Sequence, residues 1–136
     1  TNILVDNNTV TGALFERAGI NILARGYSGT ASATLSGVTV SNNSVTGTQG
    51  RAGILVVSEG RTGVASVTGL LVDRNTLDGN EDGVQIEDVT GGAHGSIGVA
   101  GNEIVNSTGA SSGVRTRSGT SASEKVFRLV TARSAV

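Results

Sequence analysis

Polar and charged side chains cluster at two matching places in the second half of this chain. Gln85, Glu87 and Asp88 fall in GVQIED, and Arg115 and Arg117 in the matching GVRTR thirty residues on. Arranged on one rigid β face, these groups could orient a sugar or uronate, because a guanidinium grips a carboxylate through two parallel hydrogen bonds. The same set also reads as a cross-coil ion pair with solubilising neighbours, worth under ~1 kcal/mol at a surface. Asp78, Asn80 and Asp82 alternate as oxygen ligands for calcium would, without the remaining positions of an EF-hand loop. His94 stands in TGGAHGSIG, the one histidine of a chain with no cysteine, so no zinc-ligand set surrounds it. As a general base it would need an acidic partner, Asp82 or Glu103 being the candidates. Tyr27 lies in a Gly-Ser stretch, where it could stack on a sugar or anchor its loop. Gly91-Gly92 is followed by no lysine at the Walker spacing and sits in no strand-turn-helix unit, so it is not a phosphate cradle.

The elements that must position these groups are written in the composition. Of 136 residues 21 are Gly, none is Pro, Cys, Met or Trp, and the aromatics are Phe15, Tyr27 and Phe127. A core must therefore come from Val, Ile, Leu and Ala, which suits strands joined by tight turns. Length fits a single domain over residues 1–136. Ten basic residues balance eleven acidic ones, so there is no footprint for nucleic acid. No apolar run reaches the length of a membrane span. Disulfides are excluded as staples, a fact compatible with an oxidising compartment.

Two landmarks repeat in phase. The stretch VDNNTVTG at 5–12 returns as VSNNSVTG at 40–47 and VDRNTLDG at 72–79, with VAGNEIVN at 99–106. The pairs Gly19-Ile20, Gly53-Ile54, Gly83-Val84 and Gly113-Val114 are spaced by 34, 30 and 30 residues. After each pair, alternation puts Ile20 and Ile22, Ile54 and Val56, Val84 and Ile86, and Val114 and Thr116 on one face. Asn21, Leu55, Gln85, Arg115 and Leu23, Val57, Glu87, Arg117 then form the outward rows. Leu23, Leu55 and Val57, if uncovered, make an apolar patch that the connections 25–33 and 58–63 could fold over. A second strand holds Ile3 and Val5, Val38 and Val40, Leu70 and Val72, and Ile97 and Val99.

Repeats this short bury an apolar face only by stacking. Three strand segments per repeat predict an all-β parallel β-helix, a solenoid of about four coils ~4.8 Å apart. Asn8, Asn43, Asn75 and Asn102 are then expected to form a ladder at one corner, each amide bonding along the axis. Asn also tolerates the left-handed backbone of a sharp corner. Over 121–130 both readings stand: a short helix capped by Ser123, with Val126, Leu129 and Val130 on one face, or a last strand including Phe127. Arg133 replaces Asn in the ladder.

These features resemble the right-handed parallel β-helix superfamily, which includes pectate-lyase-like enzymes and many secreted repeat proteins. That resemblance covers nearly all the chain and is one of architecture. It implies a polysaccharide held on an outward strand face by acidic residues, Arg or Lys, sometimes with calcium. A further likeness, to polygalacturonase-like glycoside hydrolases, runs through Asn75-Thr76-Leu77-Asp78, Glu81-Asp82, His94-Gly95 and Arg115-Thr116-Arg117. In that family the paired carboxylates lie a coil apart, whereas Asp78 and Asp82 are four residues apart. Leu77 interrupts the first segment, and Ala93 stands where the family has Gly.

Two functions follow as expectations: a non-catalytic structural, adhesive or glycan-binding module, or a fragment of a polysaccharide lyase or hydrolase. The lyase or hydrolase reading requires Glu87, Asp88, Arg115 and Arg117 to line an open groove. In either case the chain reads as part of a longer extracellular or cell-surface repeat protein. The opening TNILVD, already in register, predicts a further coil from the same protein or another subunit before it.

Overall fold

The computed structural model describes residues 2–13, 18–109, 113–118 and 127–130, with the backbone alone at 115–118 and 127–130. Strands follow one another in a repeating order. The chain enters through β1 (Ile3–Asp6) and β2 (Thr9–Thr11). The next circuit is β3 (Ile20–Arg25), β4 (Ser32–Ser36), β5 (Val38–Ser41) and β6 (Ser44–Thr46). It is repeated by β7 (Ala52–Glu59), β8 (Val64–Thr68), β9 (Leu70–Asp73) and β10 (Thr76–Asp78). A third circuit holds β11 (Asp82–Val89), β12 (Gly92–His94), β13 (Ile97–Ala100) and β14 (Glu103–Val105). β15 (Val114–Ser118) and β16 (Phe127–Val130) follow.

Every strand pairs in parallel with its counterpart one circuit away, giving four sheets in the orders β1-β5-β9-β13-β16, β14-β10-β6-β2, β15-β11-β7-β3 and β12-β8-β4. The result is an all-parallel, repeating four-sheet architecture of the β-solenoid type. Three strands per repeat were expected, and the structure corrects this to four. The missed element is β4, β8 and β12, which carries only two inward positions, Ala33/Ala65/Gly92 and Leu35/Val67/His94. Two inward side chains, one of them an imidazole, make a weak period-two signal. Phe127–Val130 is a strand beside β13, while residues 121–126 and Arg133 lie outside the described residues.

Registers follow the phase read from the sequence. Ile20, Ile54, Val84 and Val114 are backbone partners in succession, as are Val5, Val40, Val72 and Val99. Val10, Val45, Leu77 and Ile104 form a third interior row. Val40, Val45, Val56, Val72 and Leu77 are completely buried, and each such side chain contributes about 1.5–3 kcal/mol on leaving water. Leu55 and Val57 are buried too, so the outward apolar patch is not open to solvent.

Corners repeat with the same fidelity. Asn43 Oδ1 accepts from the backbone N–H and side-chain amide of Asn8, at 2.9 and 3.0 Å. Asn75 Oδ1 accepts the same pair from Asn43, both at 2.9 Å, and Asn102 Oδ1 from Asn75 at 2.9 and 2.8 Å. Each amide nitrogen also reaches back to a carbonyl, that of Val5, Val40 or Val72. The ladder stands as expected. Its rationale needs one correction, because the left-handed residue is the neighbour before each Asn. Asn7, Asn42, Arg74 and Gly101 have φ of 56°, 53°, 52° and 63°. A second corner, not foreseen, places Thr48 against Asn80, whose oxygen accepts from Thr48 N–H at 3.0 Å and Oγ1 at 2.7 Å.

The recurring Gly before Ile or Val is required by close approach at Gly19, Gly53 and Gly83, while Gly113 has a φ of 130°. A Cβ on Gly83 would lie 2.6 Å from Ile104 Cγ2, and one on Gly19 2.3 Å from Val45 Cγ1. At the first corner, Arg74 is out of keeping with its row. A Cβ-bearing residue pays for left-handed backbone in steric strain, least so when it is Asn. Arg74→Asn, which copies Asn7 and Asn42, should therefore raise stability by up to about 1 kcal/mol, read as a higher urea midpoint. The exposed contact of Arg74 with Asp73 at 3.2 Å contributes little against that gain.

Candidate functional site

The strand register decides which side of the third sheet each polar residue occupies. Gln85 and Glu87 alternate outward beside Leu55 and Val57, with Arg115 and Arg117 as their backbone partners on β15. Both are buried. The Gln85 amide donates to Glu87, whose carboxylate also accepts from Arg51 Nη2 at 3.2 and 3.4 Å. Arg51 precedes β7 and was not foreseen. The side chains of Arg115 and Arg117 lie outside the described residues.

Asp88 occupies the opposite face from Glu87. Its row is Ala24, Ser58, Asp88, and it points into the coil. There it meets His94, which stands in the interior row of Leu35 and Val67. Asp88 Oδ1 faces His94 Nδ1 in a short contact, with the two side chains 5% and 2% exposed. The carboxylate that meets His94 in this contact is that of Asp88, a pairing the sequence did not suggest. Asp88 and Glu87 lie on different sides of one strand and, with Gln85, are enclosed rather than lining an open groove.

The carboxylates nearer the second corner are likewise engaged separately. Asp78 accepts from Asn106 Nδ2 at 2.7 Å, while Asp82 is buried at the start of β11 in the row of Ala52. Asn80 between them turns its amide inward to Thr48 and to the Val45 carbonyl at 2.9 Å. Its amide oxygen therefore serves the corner and not a cation shared with Asp78 and Asp82. Among the described residues, no group of three or more His, Asp or Glu is gathered in a way that could hold a metal ion.

One chemistry-bearing cluster is open to solvent. Arg25 and Glu59 end β3 and β7 as backbone partners, with Arg25 Nε 2.5 Å from Glu59 Oε2. Arg61 Nε lies 2.7 Å from the other carboxylate oxygen. Arg25 Nη1 donates to the Tyr27 hydroxyl at 3.1 Å, and the guanidinium carbons of Arg25 and Arg61 stand 5.6 and 4.9 Å from the Tyr27 ring centre. Thr62 Oγ1 donates to the Tyr27 carbonyl at 3.1 Å, tying the two loops together. Tyr27 is still 63% exposed. Tyr27 was picked out from the sequence; Arg25, Glu59 and Arg61 were missed. A signal existed, since Arg25 and Glu59 close in-phase strands 34 residues apart.

Burial of Glu59 acts to raise its pKa, but hydrogen bonds from Arg61 and Arg25, with their charges, prevail and hold it below the usual glutamate value. A depressed folded-state pKa contributes stability that is present above the unfolded value and lost as pH falls through the folded one. A carbon-detected NMR titration should place the Glu59 midpoint below that of ordinary glutamate, and Arg61→Gly should move it up. An unchanged midpoint in that variant would remove Arg61 from the pairing.

Comparison of the chain with protein-family models, curated proteins and solved structures gave no significant match. Among the described residues no helix is long and apolar enough to cross a membrane.

Proposed function

We propose that this chain is a non-catalytic module of an extracellular or cell-surface protein, a right-handed parallel β-helix with a structural, adhesive or glycan-binding role. Right-handedness is favoured because parallel strands joined by crossovers adopt that hand almost without exception. The observation that carries the functional reading is the disposition of acid and base groups. Asp88 and His94 bond each other inside the coil, and Glu87 is buried against Gln85 and Arg51. A general acid or base must come within hydrogen-bond reach of its substrate, and enclosed groups do not. By contrast, the exposed Arg25–Tyr27–Glu59–Arg61 cluster has the makings of a binding surface.

Incubation with polyuronates under continuous ultraviolet detection tests this. The expected trace is flat, while retention on at least one glycan of a broad panel is positive. Accumulation of unsaturated product, lost on changing Arg115 to Ala, would establish a lyase instead.

A further inference from the structure

We propose that Arg25, Tyr27, Glu59 and Arg61 form a binding site for an acidic saccharide, the sugar ring lying on Tyr27 and its carboxylate meeting the guanidinium groups. This rests on the module reading above and names the class of ligand.

Three features point to a ligand that is both anionic and faced with C–H groups. First, the cluster carries two guanidinium groups against one carboxylate, a local excess of one positive charge. Each arginine meets Glu59 through Nε, and a guanidinium has five N–H donors, so donors remain on both after Glu59 and Tyr27 are served. The planar fork matches a second carboxylate in two-point geometry.

Second, Tyr27 is held at both ends, its hydroxyl by Arg25 and its carbonyl by Thr62, while most of its surface stays in water. An exposed aromatic ring ordinarily loses conformational freedom on binding. Here that cost is reduced in advance. An amphipathic ring with a hydroxyl tip suits the C–H face and hydroxyls of a sugar. Val64, which opens β8, whose backbone abuts Gly26 and which is 60% exposed, adds apolar surface beside these loops.

Third, the arrangement includes backbone strain at Arg61, which has φ of 48°. Glycine would occupy that position without strain, so the arginine there costs stability. The ion pair with Glu59 is partly exposed and offsets little of it.

The test uses the whole chain and isothermal titration with an oligoglucuronate, its methyl ester and a neutral oligoglucose. Arg61→Gly removes one guanidinium while relaxing the backbone, so its urea midpoint should equal or exceed that of the parent. Tyr27→Ala removes the ring. The acid should bind, with the ester, the neutral oligomer and both variants weaker by about tenfold or more, the loss expected for one charged hydrogen-bonded contact. Raising salt should weaken the acid and leave the ester unaffected. Equal binding of acid and ester, undiminished binding by Arg61→Gly, or no binding of oligoglucuronate by the parent overturns the site. Binding lost in Arg61→Gly together with release of sugar products by the parent upholds the site and overturns the non-catalytic reading. Undiminished binding by that variant without product release overturns the site alone.

Discussion

Asn75→Ala should destabilise the protein by about 3–5 kcal/mol, the range expected when several buried hydrogen bonds lose one partner. The side chain of Asn75 accepts two bonds from Asn43 and donates to Asn102 and to the carbonyls of Val40 and Asp73. Ala would leave the Asn43 N–H, the Val40 carbonyl and the Asn102 oxygen short of partners at buried positions, which costs more than the net value of the bonds themselves. Asn8→Ala provides the internal control. Asn8 is exposed and, among the described residues, its side chain bonds only Asn43 and the Asp6 carbonyl, so a loss of about 1 kcal/mol is expected. Equilibrium urea unfolding of the two variants checks this. Comparable losses at both positions would deny the ladder its central role. Because each circuit contacts only its neighbours, the Asn75 defect should also lower the cooperativity of unfolding.

The second large effect concerns the enclosed Asp88–His94 pair. Its rows show what neighbouring circuits use in the same places: Ser58 beside Asp88, and Val67 beside His94. His94→Val leaves a buried carboxylate without its imidazole partner, and removing one member of a buried pair costs about 3–5 kcal/mol. Asp88→Ser leaves a buried imidazole without the carboxylate, a smaller loss of about 1–3 kcal/mol. The double variant Asp88→Ser/His94→Val reproduces the preceding circuit, and should be close to the parent in stability or above it, because a buried pair replaced by well-fitting residues is often no loss. The measured quantity is the coupling energy of the cycle, expected to be large and of one sign. Additive single and double losses would show that the two side chains do not depend on each other. For the proposed function, the double variant should retain glycan binding.

How much could be read in the chain beforehand depends on what repeats. Interior rows such as Val5, Val40, Val72 and Val99 occupy one environment four times over, and each copy repeats the same small aliphatic choice. Corner residues are as legible, since Asn43 and Asn75 must each serve the circuit before and after. The site was less legible. Asp88 stands two residues after Ile86, so alternation alone places it inside, yet a charged residue at an interior position is improbable until a partner is known. That partner, His94, belongs to the strand whose inward pattern is too short to notice. Arg25 and Glu59 meet at the ends of paired strands, but Arg61 and Tyr27 join them only because two loops of different sequence lie one above the other.

The sequence by itself determined the phase of the repeat, the interior rows and the Asn corner, because stacking imposes one chemical requirement on every copy of a position. Tertiary structure decided which polar groups are sealed and which are open, and which charge answers which. The repeat places Arg25 and Glu59 in phase, but which charge fills each in-phase position differs from circuit to circuit, so the repeat alone does not record the pairing. Glu87 and Asp88 are adjacent in the chain and end on opposite sides of a sheet, while Arg25 and Glu59, a full repeat apart, end 2.5 Å from each other.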